Sequence, residues 1–279
     1  MSGADGTYIH GTEPDEQGRL ARLNRLINSQ SLSRMNPQPG QRVLDVGCGF
    51  GLFAHEIAAR VGSEGRVVGI ERAAAQVEQG QRLAAELAFS ERAEIRIGDA
   101  YAFPLRDDEW GTFDIAHARF LLEHLERPAD VVAAMVRAVK PGGRVILEDD
   151  DHEALILFPA LPEFEAVWRA YARAYDVGDR DPRIGRKLVA LLAAAGAQPT
   201  RCDWPFFGSC AGAETFDAII TNCRAILTGA RESIVRDGAI SGGDLDAGLR
   251  AYDTWRTRPD ASYWYCTFWA EGRRATARQ

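Results

Sequence analysis

Residues 43–51 read Val43-Leu44-Asp45-Val46-Gly47-Cys48-Gly49-Phe50-Gly51, and the fold turns on them. The first four form a short apolar run with β-branched residues that stops at a glycine cluster, which predicts a buried strand ending in a tight turn. Glycine at alternate positions lets the backbone turn sharply and lets a ligand approach the main chain at the N-terminus of the next helix. The turn is GxGxG, because Leu52 stands where the dinucleotide fingerprint wants its third glycine, and the Walker lysine is absent. A pyrophosphate-binding loop is therefore the poorer reading.

Outward from this turn the pattern alternates. A helix is expected near 52–61, a strand at 67–70, a helix near 73–88 and a strand at 94–97. A further strand at 113–116 precedes a helix carrying Val131, Val132, Met135, Val136 and Val139, and Pro141, Gly142 and Gly143 punctuate the chain before a strand at 144–148. Strands separated by helices are the βαβ signature of a parallel sheet. From 149 to 182 the alternation lapses into an aromatic-rich helical stretch, and a helix through Leu188, Leu191 and Leu192 then ends at Gly196. A second irregular block spans about 208–260, followed by one aromatic strand, Ser262 to Ala270. Upstream, Thr12, Pro14 and Asp15 read as a helix start, with Leu20, Leu23, Leu26 and Ile27 at helical spacing. The expected division is a helical leader over 1–40, a cofactor-binding core over 41–150, a helical cap over 151–182, core again over 183–207, a second cap over 208–260, and the last core strand and tail over 261–279.

The chain has 279 residues, 46% of them apolar and 26% charged. This composition supports a sizeable core and sets disordered and fibrous classes aside. A formal charge of −7 works against a phosphate backbone as partner, so nucleic acid is disfavoured. Five cysteines without a CxxC pair suggest neither a disulfide framework nor zinc, and fit a reducing cytoplasm. The N-terminus lacks the pattern of a signal peptide and the longest apolar run, 154–161, is too short to span a bilayer. A small-molecule partner and a monomer or homodimer are expected.

Further acids sharpen the reading. Glu71 ends the second strand 24 residues beyond Gly47, where a carboxylate can take both hydroxyls of a ribose. Asp99 ends the third strand, with Ala100 and Tyr101 behind it, where an adenine can be gripped. Asp45 can brace the glycine turn or meet a ligand cation. Three acids at the carboxyl ends of three successive strands describe one crevice at the switch point of a parallel sheet.

VLDVGCGFG, VVGIER, IGDAYAFPL, FDIAHARFLLEHL and KPGGRVILED resemble the successive motifs of the class I S-adenosylmethionine-dependent methyltransferases over residues 41–149. The broader pattern is similar to the small-molecule group that includes the ubiquinone and menaquinone methyltransferases, and DPRIGRKLVALLAAAG resembles a downstream segment of such enzymes. The resemblance implies a Rossmann-like α/β fold, a seven-stranded and mostly parallel sheet whose last strand enters antiparallel, with helical cap insertions. It implies S-adenosyl-L-methionine as cofactor, with Asp45, Gly47 and Gly49 along the methionine part, Glu71 on the ribose and Asp99 with Ala100 at adenine. Arg72 and Tyr101 would flank the nucleoside. Ala118 and Arg119 would lie near the methionine and the acceptor, Arg119 pairing with the cofactor carboxylate. Tyr8 and Cys48 complete the expected cofactor set, although Cys48 also reads as a small filler of the loop.

Methyl transfer from a sulfonium releases a neutral thioether, so positioning is most of the task, and a base is needed only for a hydroxyl, an acidic carbon or a protonated amine. His10, in a leader that can fold over the pocket, and His152, beside the acidic run 148–151, are the candidate bases. His117 and His124 read as packing residues. The acidic run reads as a strand end emerging into solvent, with attraction of a cationic acceptor as a further use; no metal site is expected. Phe158, Phe164, Trp168, Tyr171, Tyr175, Trp204, Phe206 and Phe207 either form a lid over an apolar acceptor or the core of the insertions. The expected activity is methyl transfer to oxygen, nitrogen or carbon of a small molecule. An RNA or protein methyltransferase with a basic face, a non-catalytic S-adenosylmethionine-binding scaffold and a dehydrogenase are the alternatives.

Overall fold

The computed structural model describes residues 27–86, 93–176, 180–236 and 239–276. In chain order they form α1 (27–35), β1 (Arg42–Val46), α2 (Leu52–Val61), β2 (Arg66–Glu71), α3 (Ala74–Glu86), β3 (Ala93–Ile97), β4 (Phe113–Arg119), α4 (Pro128–Ala138) and β5 (Val139–Asp149). There follow β6 (Ile156–Phe158), α5 (Pro162–Asp176), α6 (Leu188–Ala194), β7 (Ala197–Asp203), β8 (Ser209–Cys210), α7 (Phe216–Gly229), α8 (Arg231–Arg236), α9 (Gly242–Trp255), β9 (Ser262–Trp264) and β10 (Phe268–Arg274). The chain divides into two compact units. Among the described residues no helix is long and apolar enough to cross a membrane. The leader signals at 12–26, with Tyr8 and His10, lie outside the described residues.

Among the described residues the larger unit comprises 28–86, 93–151, 180–205 and 267–276. Its seven-stranded sheet has the order β3-β2-β1-β4-β5-β10-β7. Every pairing from β3 to β5 is parallel, and β10 runs antiparallel between β5 and β7. Alternation along each strand feeds two apolar layers. On one face Val43, Val67, Ile115 and Ile146 meet Leu32 and Met35 of α1 and Phe53, Ala54, Ile57 and Val61 of α2. On the other, Leu44, Val68, Ala116 and Val145 meet Val131, Val132 and Met135 of α4 and Leu188 and Leu192 of α6. The i, i+3 and i+4 spacing of those helical residues gives each helix one apolar stripe. Pro128 stands in the first turn of α4, where its missing N–H costs nothing.

Among the described residues the smaller unit comprises Ile27, 152–176, 206–236 and 239–266. Its core packs Phe164 and Val167 of α5 against Ile220 of α7 and Leu245, Tyr252 and Trp255 of α9. The rings of Phe164 and Tyr252 stack at 4.3 Å. Ser241 caps α9, its hydroxyl accepting the Asp244 N–H at 3.1 Å.

Two local expectations are corrected. The aromatic run 262–270 is two strands: β9 pairs with β6 and β8 in a three-stranded sheet of the smaller unit, whereas β10 joins the large sheet. The division falls where Tyr263 of β9 and Tyr265 just beyond it join the aromatic core and Trp269 and Ala270 are buried in the main sheet. Strand β5 also runs through Pro141-Gly142-Gly143 from Val139, with a register shift against β4 absorbing the irregularity. By burial the aromatics divide into two sets. Phe164 and Tyr171 are core, and Trp168, Tyr175 and Phe207 pack on it; Phe158, Trp204 and Phe206 are exposed at 62%, 68% and 47%.

Candidate active site

The carboxyl ends of β1, β2 and β4 belong to one sheet, and the glycine turn follows β1 directly. Gly47, Gly49 and Gly51 have φ of +71°, +55° and +71°, a left-handed path that side chains disfavour. The turn is pinned on its neighbour strand by the N–H groups of Gly47 and Cys48, which donate to the Ile70 carbonyl at 2.8 and 3.0 Å. Gly51 then opens α2 as its N-cap residue.

Glu71 clasps this turn. Its Oε2 accepts the Gly49 N–H at 3.0 Å and its Oε1 accepts the Ala73 N–H at 2.8 Å, so the carboxylate ties the glycine turn to the approach to α3. Each oxygen keeps a second lone pair for a ligand hydroxyl. Arg72 beside it is exposed. At the end of β3, Asp99 accepts the Tyr101 N–H at 2.9 Å, shaping a turn that presents the half-buried Ala100. The Tyr101 ring carries the Arg127 guanidinium at 4.8 Å, and its hydroxyl accepts the Arg127 N–H at 3.1 Å.

Cys48 packs against Gly69, where any Cβ would stand 2.8 Å from its sulfur. Burial, then the charges of Asp45 and Glu71, push its thiol far above the ordinary value. Its sulfur fills the wall of the turn beside Gly69.

Asp45 is buried and bonds through Oδ1 to Nδ1 of His117 at 2.7 Å. Arg119, two residues along β4 on the same face, donates to Asn28 Oδ1 at 2.7 Å and Ser31 Oγ at 3.2 Å of α1, with its guanidinium 4.5 Å from the Phe53 ring. Ala118 points to the opposite face, into the layer under α4.

The acidic run is corrected most. Glu148, Asp149 and Asp151 are buried, not solvated. Ser31 and Thr267 hydroxyls donate to Glu148 at 2.6 and 3.0 Å. Asp149 accepts the N–H groups of Leu121 and Leu122 at 3.2 and 2.7 Å, and burial with Glu123 and Asp150 nearby raises its pKa well above the carboxylate range. Asp151 forms a two-point ion pair with Arg186. Strand β5 ends inside its unit, so its acids fold loops instead of meeting solvent. His152 belongs to the smaller unit, where it stacks on Tyr171 at 5.2 Å and its carbonyl accepts the Trp168 indole N–H at 2.6 Å.

Asp45, Gly47, Cys48, Gly49 and Glu71 thus come together at the first turn, with Arg119 on the neighbouring strand. Sequence reasoning missed His117, Asn28 and Ser31. His117 had a legible signal: aligning VLDV with IAHA as neighbouring parallel strands sets Asp45 opposite it.

Comparison with known proteins gives a match to the family model described as "Methyltransferase domain" over residues 37–189. The chain is 34% identical over 207 residues to an uncharacterised 37.1 kDa protein in transposon Tn4556 of Streptomyces fradiae, covering 72% of this chain and 57% of that one. It therefore spans little more than half of that relative. It is 31% identical over 190 residues to the 2-phytyl-1,4-naphthoquinone methyltransferase of Synechococcus elongatus, covering 63% of this chain and 79% of the relative. In fold it is similar to the geranyl diphosphate C-methyltransferase of Streptomyces coelicolor, with TM-score 0.53, 16% identity, and coverage of 98% of this chain and 86% of that one. With the motifs of its glycine turn and the sheet order that carries them, the chain belongs to the class I S-adenosylmethionine-dependent methyltransferases, in the group similar to the quinone methyltransferases.

Proposed function

We propose that the protein transfers a methyl group from S-adenosylmethionine to a small-molecule acceptor, held under the helical insertions as the sequence reading expects. The observation that carries the site reading is the Glu71 carboxylate, fixed by the N–H groups of Gly49 and Ala73 beside the glycine turn. The donor set fits the cofactor: Glu71 retains acceptor capacity for two ribose hydroxyls, Asp45 offers an anion for an ammonium, and Arg119 a cation for a carboxylate. Asp99, Ala100 and Tyr101 would hold the adenine, with Arg72 at the nucleoside edge. When bound, the cofactor supplies an electrophilic methyl on a sulfonium.

The chain's own residues then have to position and exclude water. Gly49, where an added Cβ would meet only Gln76 Oε1 at 3.6 Å, leaves room for close main-chain approach, and the Arg119 guanidinium, already aligned by Asn28, Ser31 and Phe53, is preorganised for an anion. An aromatic or quinol-type acceptor is favoured by the likeness to the 2-phytyl-1,4-naphthoquinone methyltransferase. Whether oxygen, nitrogen or carbon receives the methyl follows from that acceptor. Where the acceptor needs a base, His152, whose ring stacks on Tyr171, would supply it.

Calorimetric titration with S-adenosylmethionine and S-adenosylhomocysteine, with NAD as control, tests the cofactor site. Saturable binding of both sulfur nucleosides and none of NAD is expected. A product screen over reduced naphthoquinones, phenols and amines then tests the acceptor class, and turnover only on a macromolecule would overturn it.

A further inference from the structure

Strands β1 and β4 are parallel neighbours with Asp45 opposite His117, and both side chains lie on the face under α1 and α2. The two are 3% and 0% exposed, and Nδ1 stands 2.7 Å from Oδ1. A carboxylate accepts, so Nδ1 is the donor of this bond. Nε2 is left between the Phe53 ring at 5.2 Å and the Trp269 ring at 6.4 Å, with no hydrogen-bond partner among the described residues. An apolar side chain would satisfy those two rings without stranding a nitrogen. The packing alone therefore does not account for a histidine, and the bond to Asp45 does.

Asp45 has no other hydrogen bond among the described residues. A buried carboxylate with a single donor is held in one orientation by that donor, and its second oxygen calls for a cation or a further donor. We infer that His117 is a positioning residue for the methionine end of the cofactor: it locks the Asp45 carboxylate so that Oδ2 meets the ammonium of the bound amino-acid moiety. This inference rests on the site reading above, in which Asp45 lines that end.

The test compares S-adenosylhomocysteine with 5′-methylthioadenosine, which keeps the nucleoside and lacks the amino-acid tail. Affinities of both are measured by calorimetry for the wild type and for His117→Leu, His117→Asn, His117→Gln and Asp45→Asn. His117→Leu should weaken S-adenosylhomocysteine about tenfold, the scale of one charge-assisted hydrogen bond, while leaving methylthioadenosine within about twofold. His117→Asn, whose amide nitrogen can stand near the Nδ1 position, should recover most of the loss, and His117→Gln should not. If the leucine variant does not fold, the asparagine and glutamine variants decide alone. Equal loss for both ligands, or no loss, while Asp45→Asn is selective would overturn the role of His117 and leave the site reading standing. An Asp45→Asn variant with no selective loss would overturn the reading of Asp45 and the inference with it.

Discussion

The Glu71→Gln variant probes the candidate site most directly. The wild-type carboxylate accepts one backbone N–H on each oxygen, from Gly49 at 3.0 Å and Ala73 at 2.8 Å. Glutamine has one oxygen, so its amide NH2 must face one of those N–H groups, donor against donor, and the remaining bond loses its charge. The loss of one charge-assisted hydrogen bond is about 1.5–3 kcal/mol. The same substitution weakens the grip on the ribose hydroxyls by a similar amount, which raises the dissociation constant roughly 10- to 150-fold. Calorimetry with S-adenosylhomocysteine and its 2′-deoxy analogue separates the two effects. The wild type should discriminate between them, and the variant should discriminate less, because the coupling between hydroxyl and carboxylate is what the double comparison isolates. Thermal melts in parallel report the damage to the turn. A variant of native thermal stability with unchanged affinity and unchanged discrimination would refute the ribose assignment.

Other expectations follow from groups whose environments are equally specific. Arg96 binds buried Glu109 and half-exposed Glu94 at 2.6 and 2.8 Å, and it holds both carboxyls down from the ordinary 4.5 to about 2. Those pairs therefore add stability above the unfolded-state value that is lost as pH falls toward about 2. Arg96→Met should cost about 3 kcal/mol near neutral pH, at the low end for breaking a buried pair because Arg106 still reaches Glu109, and should flatten the acid dependence of urea midpoints. In native protein at mildly alkaline pH, peptide mass spectrometry after iodoacetamide should find exposed Cys202 and Cys210 labelled and Cys48 and Cys223 spared; burial raises both of the latter thiols, Cys223 to about 12. Labelling of half-buried Cys48 at the exposed rate would refute its role as a filler of the turn. Thr267→Val removes one of two hydroxyl donors to buried Glu148 and should cost about 1.5–3 kcal/mol by chemical denaturation, whereas Thr267→Ser should be close to neutral.

The strand and helix order of the sheet unit was legible because hydrophobic period and glycine punctuation are local signals. VLDV before the glycine turn, the stripe on α4, and acids closing β2 and β3 each declare themselves within a few residues. The cofactor class was legible through the resemblance of the same stretches to the successive motifs of the class I methyltransferases, with which the family match agrees. What the chain did not declare is which polar groups end up inside. Glu148-Asp149-Asp150-Asp151 looks like a solvated strand end, and only the arrival of Ser31 from α1, Thr267 just before β10, the Leu121 and Leu122 N–H groups and Arg186 makes it a buried bracing element. The partners lie up to 119 residues away in sequence, beyond the reach of any local pattern. The aromatic run 262–270 was likewise read as one strand, because β-propensity is continuous across it; its division between two sheets is decided by which long-range partners each half pairs with. His117 stands between these cases. Its residue type is ambiguous in sequence, and register with Asp45 across two parallel strands turns it from a packing residue into half of a hydrogen-bonded pair. Local chemistry thus determined the elements and the glycine turn, and tertiary structure alone determined which charges are buried, because burial and pairing depend on distant segments arriving at one place.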